Sequence, residues 1–470
     1  MKSKLFALLL TALFAAATFA QFPDTPAAHQ FAAWLDAFNS GDRATLLAFL
    51  QKNQPEQAGE VDGLLGFRQG TGGFEFKKAE NSPPNHFLGL MKEKSSDQFA
   101  HFDLEIDPAA SNKITKFDIR AIPTPPEFAE SRLNEADALK ALRAKLEKET
   151  AADNFSGAAL IGINGKSVFA EAYGLSDRTA KTPNKLDTKF RIGSMNKMFT
   201  ATAILQLTQA GKLQLTDTIA KILPDYPNKT LASKVTIHHL LTHTGGTGDI
   251  FGPDFDTHRL ELKTLQDYVN LYGKRDLAFE PGSKWDYSNY GFLLLGVIVE
   301  KVSGQSYYDY VEQNIFKPAG MSGTASIPED QSVPNRSTGY TKMGGSAQWA
   351  SNVDTLPYRG TSAGGGYSTV EDLLRFANAL TSFKLLDAKH FELLTTGKVD
   401  ARGGEKYAYG FMDRTENGVH CFGHGGGAPG MNGELLICPD SGYTIAVLAN
   451  LDPQAASRIA AFIVNRLPAK

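Results

Sequence analysis

Apolar residues recur at helical spacing at Phe31, Trp34, Leu35 and Phe38, stop at Asn39-Ser40-Gly41, and resume from Leu46 to Leu50. Steps of three and four place one apolar stripe along a helix, and Gly41 is a natural stop. The period then drops to two. Ala100, Phe102, Leu104 and Ile106 alternate with polar residues, and similar runs surround Phe74-Glu75-Phe76, Phe87–Met91 and Ile114–Ile122. Pro, Asn, Ser and Asp turns separate them, as between strands. Residues 21–122 are therefore predicted to form a small α+β domain, a helix pair followed by an antiparallel meander. Pro123, Pro125 and Pro126 open a stiff linker over 123–133.

From residue 134 the pattern restarts. A charged amphipathic helix is predicted from Glu135 to Lys148. A hairpin follows, Ala158–Ile163, the turn Asn164-Gly165, and Lys166–Ala172. Asn-Gly between alternating strands is the strongest short-range hairpin signal. Helical patterns dominate from Ser194 to Leu380, broken by Gly/Pro-rich loops. Strands return at Gly418–Gly423, Glu434–Cys438 and Tyr443–Ala449, and a closing amphipathic helix is predicted from Pro453 to Leu467. Strands at both ends with helices between predict an α+β fold: one antiparallel sheet built from both ends of residues 134–470, flanked by the terminal helices, with an inserted all-helical lobe. A cleft between lobe and sheet is the expected place for a site.

The N-terminus starts Met1-Lys2-Ser3-Lys4, runs apolar from Leu5 to Phe19, and offers small residues for a cut after Ala20. These are the parts of a secretory signal over residues 1–20, shorter than a membrane span. The mature chain is expected in the periplasm or secreted, with no integral membrane span. A formal charge of −3 and 21% charged residues give no electrostatic reason to expect nucleic acid as a partner. Cys421 and Cys438 are the two cysteines, on strands read as neighbours joined by a Gly-rich loop. Export permits a bridge between them, but spacing alone leaves it open. Oligomeric state is not encoded in any pattern found.

The candidate chemistry starts at Gly193-Ser194-Met195-Asn196-Lys197, opening an apolar helical pattern. Positions three apart share a helix face, so the Ser194 hydroxyl and Lys197 amine can meet. The positive end of a helix, with its free N–H groups, suits a nucleophile and an oxyanion. Tyr287-Ser288-Asn289 lies on a loop just before the apolar helix Phe292–Val302. Gly423-His424-Gly425-Gly426-Gly427 lies at the end of a strand. Ser-x-x-Lys, Tyr-x-Asn and His-x-Gly in that order resemble the serine β-lactamase and penicillin-binding-protein superfamily, nearest its class C-like branch, over about residues 130–470. The resemblance implies an acyl-enzyme hydrolase of a small-molecule or peptide substrate (an ester, a β-lactam or a D-amino-acid peptide), without metal or organic cofactor. It implies Ser194 as nucleophile and Lys197, with a lowered pKa, as a group that helps remove its proton. Tyr287 would be the proton relay, Asn289 a substrate-holding amide, and His424 the strand-end residue. Gly425, Gly426 and Gly427 would line the substrate, with the N–H groups of Ser194 and Gly427 as oxyanion hole. Whether Lys197 or Tyr287 is the base stays open. Many members carry Lys-Thr-Gly where this chain has His424-Gly425-Gly426, which removes a permanent charge. Residues 21–122 resemble, in pattern rather than motif, the nuclear-transport-factor-2-like modules.

Competing motifs need weighing. Tyr226-Pro227-Asn228 repeats Tyr-x-Asn, but is expected in a turn with no helix entry behind it. His243-Thr244-Gly245 repeats His-x-Gly, but is expected to end a helix (Ile237–Thr242) with Gly245 as cap. His239 and His243 have metal-like spacing, yet Leu240 stands where a zinc protease has glutamate. Gly360-Thr361-Ser362-Ala363-Gly364 matches the hydrolase elbow, but no buried strand precedes it. Its glycines suit a loop lining the cleft, ahead of a helix capped by Ser368 with Glu371. His29, His86 and His101 fall in no catalytic set. A non-catalytic peptidoglycan- or partner-binding protein that retains the fold is the alternative class.

Overall fold

The computed structural model describes residues 22–342, 348–401 and 404–469; the predicted signal over 1–20 lies outside them. The chain divides into two compact units, one holding the residues to Ser95 with Phe99–Ala121, the other Ser96–Gln98 with Ile122 onward. Among the described residues no helix is long and apolar enough to cross a membrane.

In the first unit, α1 (Pro26–Ser40) starts on Thr25, whose hydroxyl accepts from the Ala28 N–H, and ends on Gly41 at φ 66°. α2 (Arg43–Asn53) follows. A third helix, α3 (Val61–Thr71), was not signalled by the pattern. Gly63, Gly66 and Gly70 lie inside it and it buries only Val61 and Thr71, so neither propensity nor periodicity marks it. β1 (Phe74–Asn81), β2 (His86–Glu93), β3 (Phe99–Asp107) and β4 (Lys113–Ile122) form a sheet in sequence order. Phe31 from α1 stacks on Phe102 at 3.8 Å between ring centroids, within an aromatic core that also takes Trp34, Phe38 and Phe87. His86 pairs with Asp103 and His101 with Glu80, each at 2.8 Å, and His29 with Asp24 at 3.1 Å.

The second unit opens with α4 (Glu135–Ala151), capped by the Asn134 side chain. β5 (Gly157–Ile163) and β6 (Lys166–Tyr173) form the expected hairpin. Asn164 and Gly165 both take positive φ, the requirement of its tight turn. The helical lobe contains α5 (Asn196–Gln209), α6 (Ile237–Leu241) and α7 (Asn289–Ser303), with α8 (Val370–Thr381) after it. The chain returns through β7 (Val399–Asp400), β8 (Lys406–Tyr407), β9 (Met412–Glu416), β10 (Val419–Ala428), β11 (Met431–Cys438) and β12 (Tyr443–Ala449), and closes with α9 (Ser457–Val464). The sheet order is β7-β8-β9-β10-β11-β12-β5-β6, its ladders antiparallel throughout, so the two ends of the unit meet where β12 pairs with β5. Strand alternation assigns the two cores. Ala158, Leu160, Leu435 and Leu448 face the helical lobe, while Ala159, Ile161, Leu436 and Val447 face Leu142 and Leu146 of α4 and Ile459 and Ile463 of α9.

Three local expectations are corrected. The glycines after His424 are strand, not loop: β10 runs through Ala428, with Gly425 opposite Glu434 and Gly427 opposite Asn432. Glycine weakens a strand, and at Gly426 it is required because the Ile192 carbonyl closes on it, as described below. α8 is capped by Thr369 with Asp372, one residue beyond the expected box. Asn228 does lead into a short helix, Lys229–Lys234, which it caps. Cys421 and Cys438 are bridged across β10 and β11.

Candidate active site

Ser194 sits in a single 3-10 turn, Gly193–Met195, that feeds directly into α5. The turn is held by backbone meeting backbone. Gly193 has φ 51°, and a Cβ there would lie 3.0 Å from the Gly427 nitrogen. A Cβ on Gly426 would overlap the Ile192 carbonyl and lie 3.1 Å from the Ser194 nitrogen; one on Gly364 would lie 3.3 Å from that nitrogen. So β10, the turn and the 360–366 loop converge on the Ser194 N–H, and each needs glycine at the contact. The Gly365 N–H donates to the Gly193 carbonyl (3.1 Å) and the Ile192 N–H to the Gly366 carbonyl (2.8 Å).

Lys197, one turn on, is fully buried. Its Nζ lies 3.2 Å from Ser194 Oγ, 2.7 Å from Asn289 Oδ1 and 2.6 Å from the Ala363 carbonyl. Burial disfavours the ammonium and brings the pKa down to about 7, while the Asp249 carboxylate pulls the other way. A neutral amine has two N–H donors and one lone pair. In that form, donation to Asn289 and Ala363 would leave the lone pair for the Ser194 hydroxyl.

Asn289 opens α7, where Ser288 is the cap and accepts from the Gly291 N–H at 2.9 Å. The Asn289 N–H donates to Asp249 Oδ1 (2.9 Å) and its Nδ2 to Asp249 Oδ2 (3.2 Å), which points Oδ1 at Lys197. The Tyr287 hydroxyl shares a hydrogen bond with Ser194. Its ring centroid lies 4.7 Å from Lys197 Nζ. Burial raises the Tyr287 phenol above its ordinary value, a shift that the Ser194 bond opposes. Ser194, Lys197, Tyr287 and Asn289 are thus one contact cluster. His424 stands beside it, its ring 6.4 Å from that of Tyr287. Both its nitrogens are engaged: Nε2 with the Tyr407 hydroxyl at 3.1 Å and Nδ1 with the Gly425 carbonyl at 2.5 Å. Burial, then the Lys197 charge, bring its pKa down to about 3, so the ring is neutral at neutral pH.

The other motifs fall as follows. Ser362 is fully buried, and a Cβ on Gly296 of α7 would overlap its hydroxyl, so it has no access to a substrate. Its loop serves through the Ala363 carbonyl and Gly364. His239 Nδ1 accepts from the Thr236 N–H at 3.3 Å, closing a capping box. Gly245 is not the cap of α6: Thr242 is the C-cap, and His243 takes the left-handed position that follows, at φ 59°. His243, Asp249 and Tyr407 belong to the site's surroundings and were not marked by the motifs. Asp249 had no signal beyond a Gly-rich stretch, and His243 was set aside as a repeat of the wrong motif.

The Beta-lactamase family model matches residues 142–470. Penicillin-binding protein 4* of Bacillus subtilis is 31% identical over 316 residues, covering 63% of this chain and 68% of that protein. A penicillin-binding protein from Bacillus halodurans superposes with a TM-score of 0.62 at 33% identity, over 68% of this chain and 99% of that one. A D-stereospecific amidohydrolase from Streptomyces sp. does so with a TM-score of 0.59 at 29% identity, over 68% of this chain and 97% of that one. With the sheet, the inserted helical lobe and a matched stretch of that length, the chain belongs to the Beta-lactamase family of serine hydrolases.

Proposed function

We propose that this protein is an exported serine hydrolase that cleaves an amide or ester through an acyl-enzyme on Ser194, with small D-amino-acid amides and esters as the favoured class. The observation that carries the reading is the buried Lys197 amine, its Nζ 3.2 Å from Ser194 Oγ and held there by Asn289 Oδ1 and the Ala363 carbonyl. Lys197 takes the hydroxyl proton as Oγ attacks the carbonyl carbon. The oxyanion forms against the N–H groups of Ser194 and Gly427, which converge where β10 meets the turn. Tyr287, a neutral phenol at neutral pH, hands its proton to the departing amine or alcohol and takes in its place the proton that Lys197 removed from Ser194, so both groups return to their starting forms. Lys197 rather than Tyr287 is therefore assigned as the base. Water then attacks the acyl carbon and gives a proton to Lys197, and the departing Ser194 Oγ takes that proton back as the carboxylic acid leaves. The neutral, fully engaged His424 offers no cation for a substrate carboxylate, which favours uncharged ends over carboxylate-terminated peptides. Likeness to a D-stereospecific amidohydrolase supports the same class.

The test is the intact mass of wild type and Ser194→Ala after incubation with a fluorophosphonate. One adduct on wild type and none on the variant is expected. An adduct on both would remove Ser194 as nucleophile, and an adduct on neither would favour a binding protein that keeps the fold.

A further inference from the structure

His243 holds Tyr287 from three sides. Its carbonyl accepts from the Asp286 N–H at 2.9 Å, and its Nδ1 accepts from the Ser288 N–H at 3.0 Å. The residues on either side of Tyr287 are thus tied to one histidine. Its ring lies 4.2 Å from the Tyr287 ring, with Phe292 at 5.0 Å and Tyr407 at 4.7 Å completing the packing. His243 is 1% exposed. Because Nδ1 accepts, the neutral ring carries its proton on Nε2, and that buried nitrogen has no hydrogen-bond partner among the described residues. The backbone is also unusual. A non-glycine residue at φ 59° is uncommon, and such strain persists where the surroundings over-determine it. Helix capping does not explain these features together. Asparagine or glycine would serve better at a left-handed helix end, and neither would stack on Tyr287.

We infer that His243 is a positioning residue for Tyr287: it fixes the tyrosine backbone on both sides and its ring face, so that the phenol meets Ser194. The inference rests on the reading of Tyr287 as proton donor. An unclamped tyrosine on the loop before α7 would sample rotamers that leave the leaving group without a proton, a loss felt in turnover rather than binding.

The test is steady-state kinetics on an unactivated amino-acid amide, whose departing amine must be protonated, with melting curves, for His243→Ala, His243→Asn, Tyr287→Phe and the double variant His243→Ala/Tyr287→Phe. His243→Ala is expected to lower kcat about 10²-fold, within the usual range for a proton-transfer group, with KM changed less than about twofold. His243→Asn should recover about tenfold of that. Asparagine tolerates the left-handed position, and its Oδ1 can accept from the Ser288 N–H. In the Tyr287→Phe background, removing His243 should cost less than about twofold, because there is no phenol left to place. Wild-type kcat in folded His243→Ala, or full additivity in the double variant, would overturn the inference. Wild-type kcat in Tyr287→Phe would instead overturn the reading of Tyr287. A crystal structure of His243→Asn or His243→Ala gives a readout without turnover. A Tyr287 hydroxyl unmoved from Ser194 in the alanine variant counts against the inference, and a displaced one supports it.

Discussion

The strongest consequence of the site is a pH dependence with one source. Lys197, buried and brought down to about 7, must be neutral to accept the Ser194 proton. The neutral fraction is about one half at pH 7, about a tenth at pH 6 and about a hundredth at pH 5. The rate of covalent labelling by a fluorophosphonate should therefore rise about tenfold per pH unit up to about pH 7 and level off above it. The nearby histidines cannot supply this limb. His424 sits at about 3, and burial holds His243 well below its ordinary value. The Tyr287 phenol is raised and would act on the alkaline side. Asp249 supports the ammonium form of Lys197, so Asp249→Asn should move the limb to lower pH. The assay is the second-order labelling rate from pH 5 to 9 at constant ionic strength, followed by intact mass. A rate flat across that range, or a limb that survives in Lys197→Met, would refute the assignment of Lys197 as the base.

Two further outcomes concern stability. Between about pH 7 and 10.5 the unfolded chain holds a proton on Lys197 that the folded chain lacks, so this group's cost, at most about 5 kcal/mol, is full below pH 7 and fades as pH rises. Denaturant unfolding at pH 6 and 9 should show that slope in wild type and lose it in Lys197→Met; an unchanged slope would place the lysine in a more polar setting. The Cys421–Cys438 bridge closes a short loop (sequence separation 17). Replacing both with alanine should lower the unfolding free energy by about 3 kcal/mol, read from denaturant midpoints, and a loss below about 0.5 kcal/mol would count against the bridge as a constraint on the unfolded chain.

The sequence showed most where periodicity was strong and local. The Asn164-Gly165 hairpin, the meander through Ala100–Ile106 and the apolar α7 all lie where their patterns put them. α3 was invisible because three glycines dilute its signal. The glycines after His424 read as a loop because composition cannot report pairing or an approaching backbone; their ladder with β11 makes them strand, and the turn before Ser194 lying against Gly426 requires glycine there. Within the site, spacing sufficed for Ser194 with Lys197, since three residues on a helix fix their meeting. Asp249 and Ala363 reach Asn289 and Lys197 through loops far apart in the chain, and no period records such contacts. His243 was hidden for another reason. Its motif was weighed as a rival to His424, and a rival reading leaves no room for a supporting one.

The same geometry bears on why this site needs so much enclosure. A lysine amine in water is almost wholly protonated at pH 7, and hydrogen bonds to carbonyl oxygens alone would keep it so. Desolvation is the largest effect that lowers it, and desolvation requires that every side of the amine be covered. α5 covers one side, and the Ala363 loop, α7 and the Tyr287 ring cover the others. Ser362, packed against Gly296 with no hydrogen-bond partner for its hydroxyl among the described residues, fits this account: its loop is pressed tightly onto α7, at a cost of about 1–3 kcal/mol for the unpaired hydroxyl. The unpaired hydroxyl that resembles a second nucleophile is better understood as the consequence of sealing the base of the first.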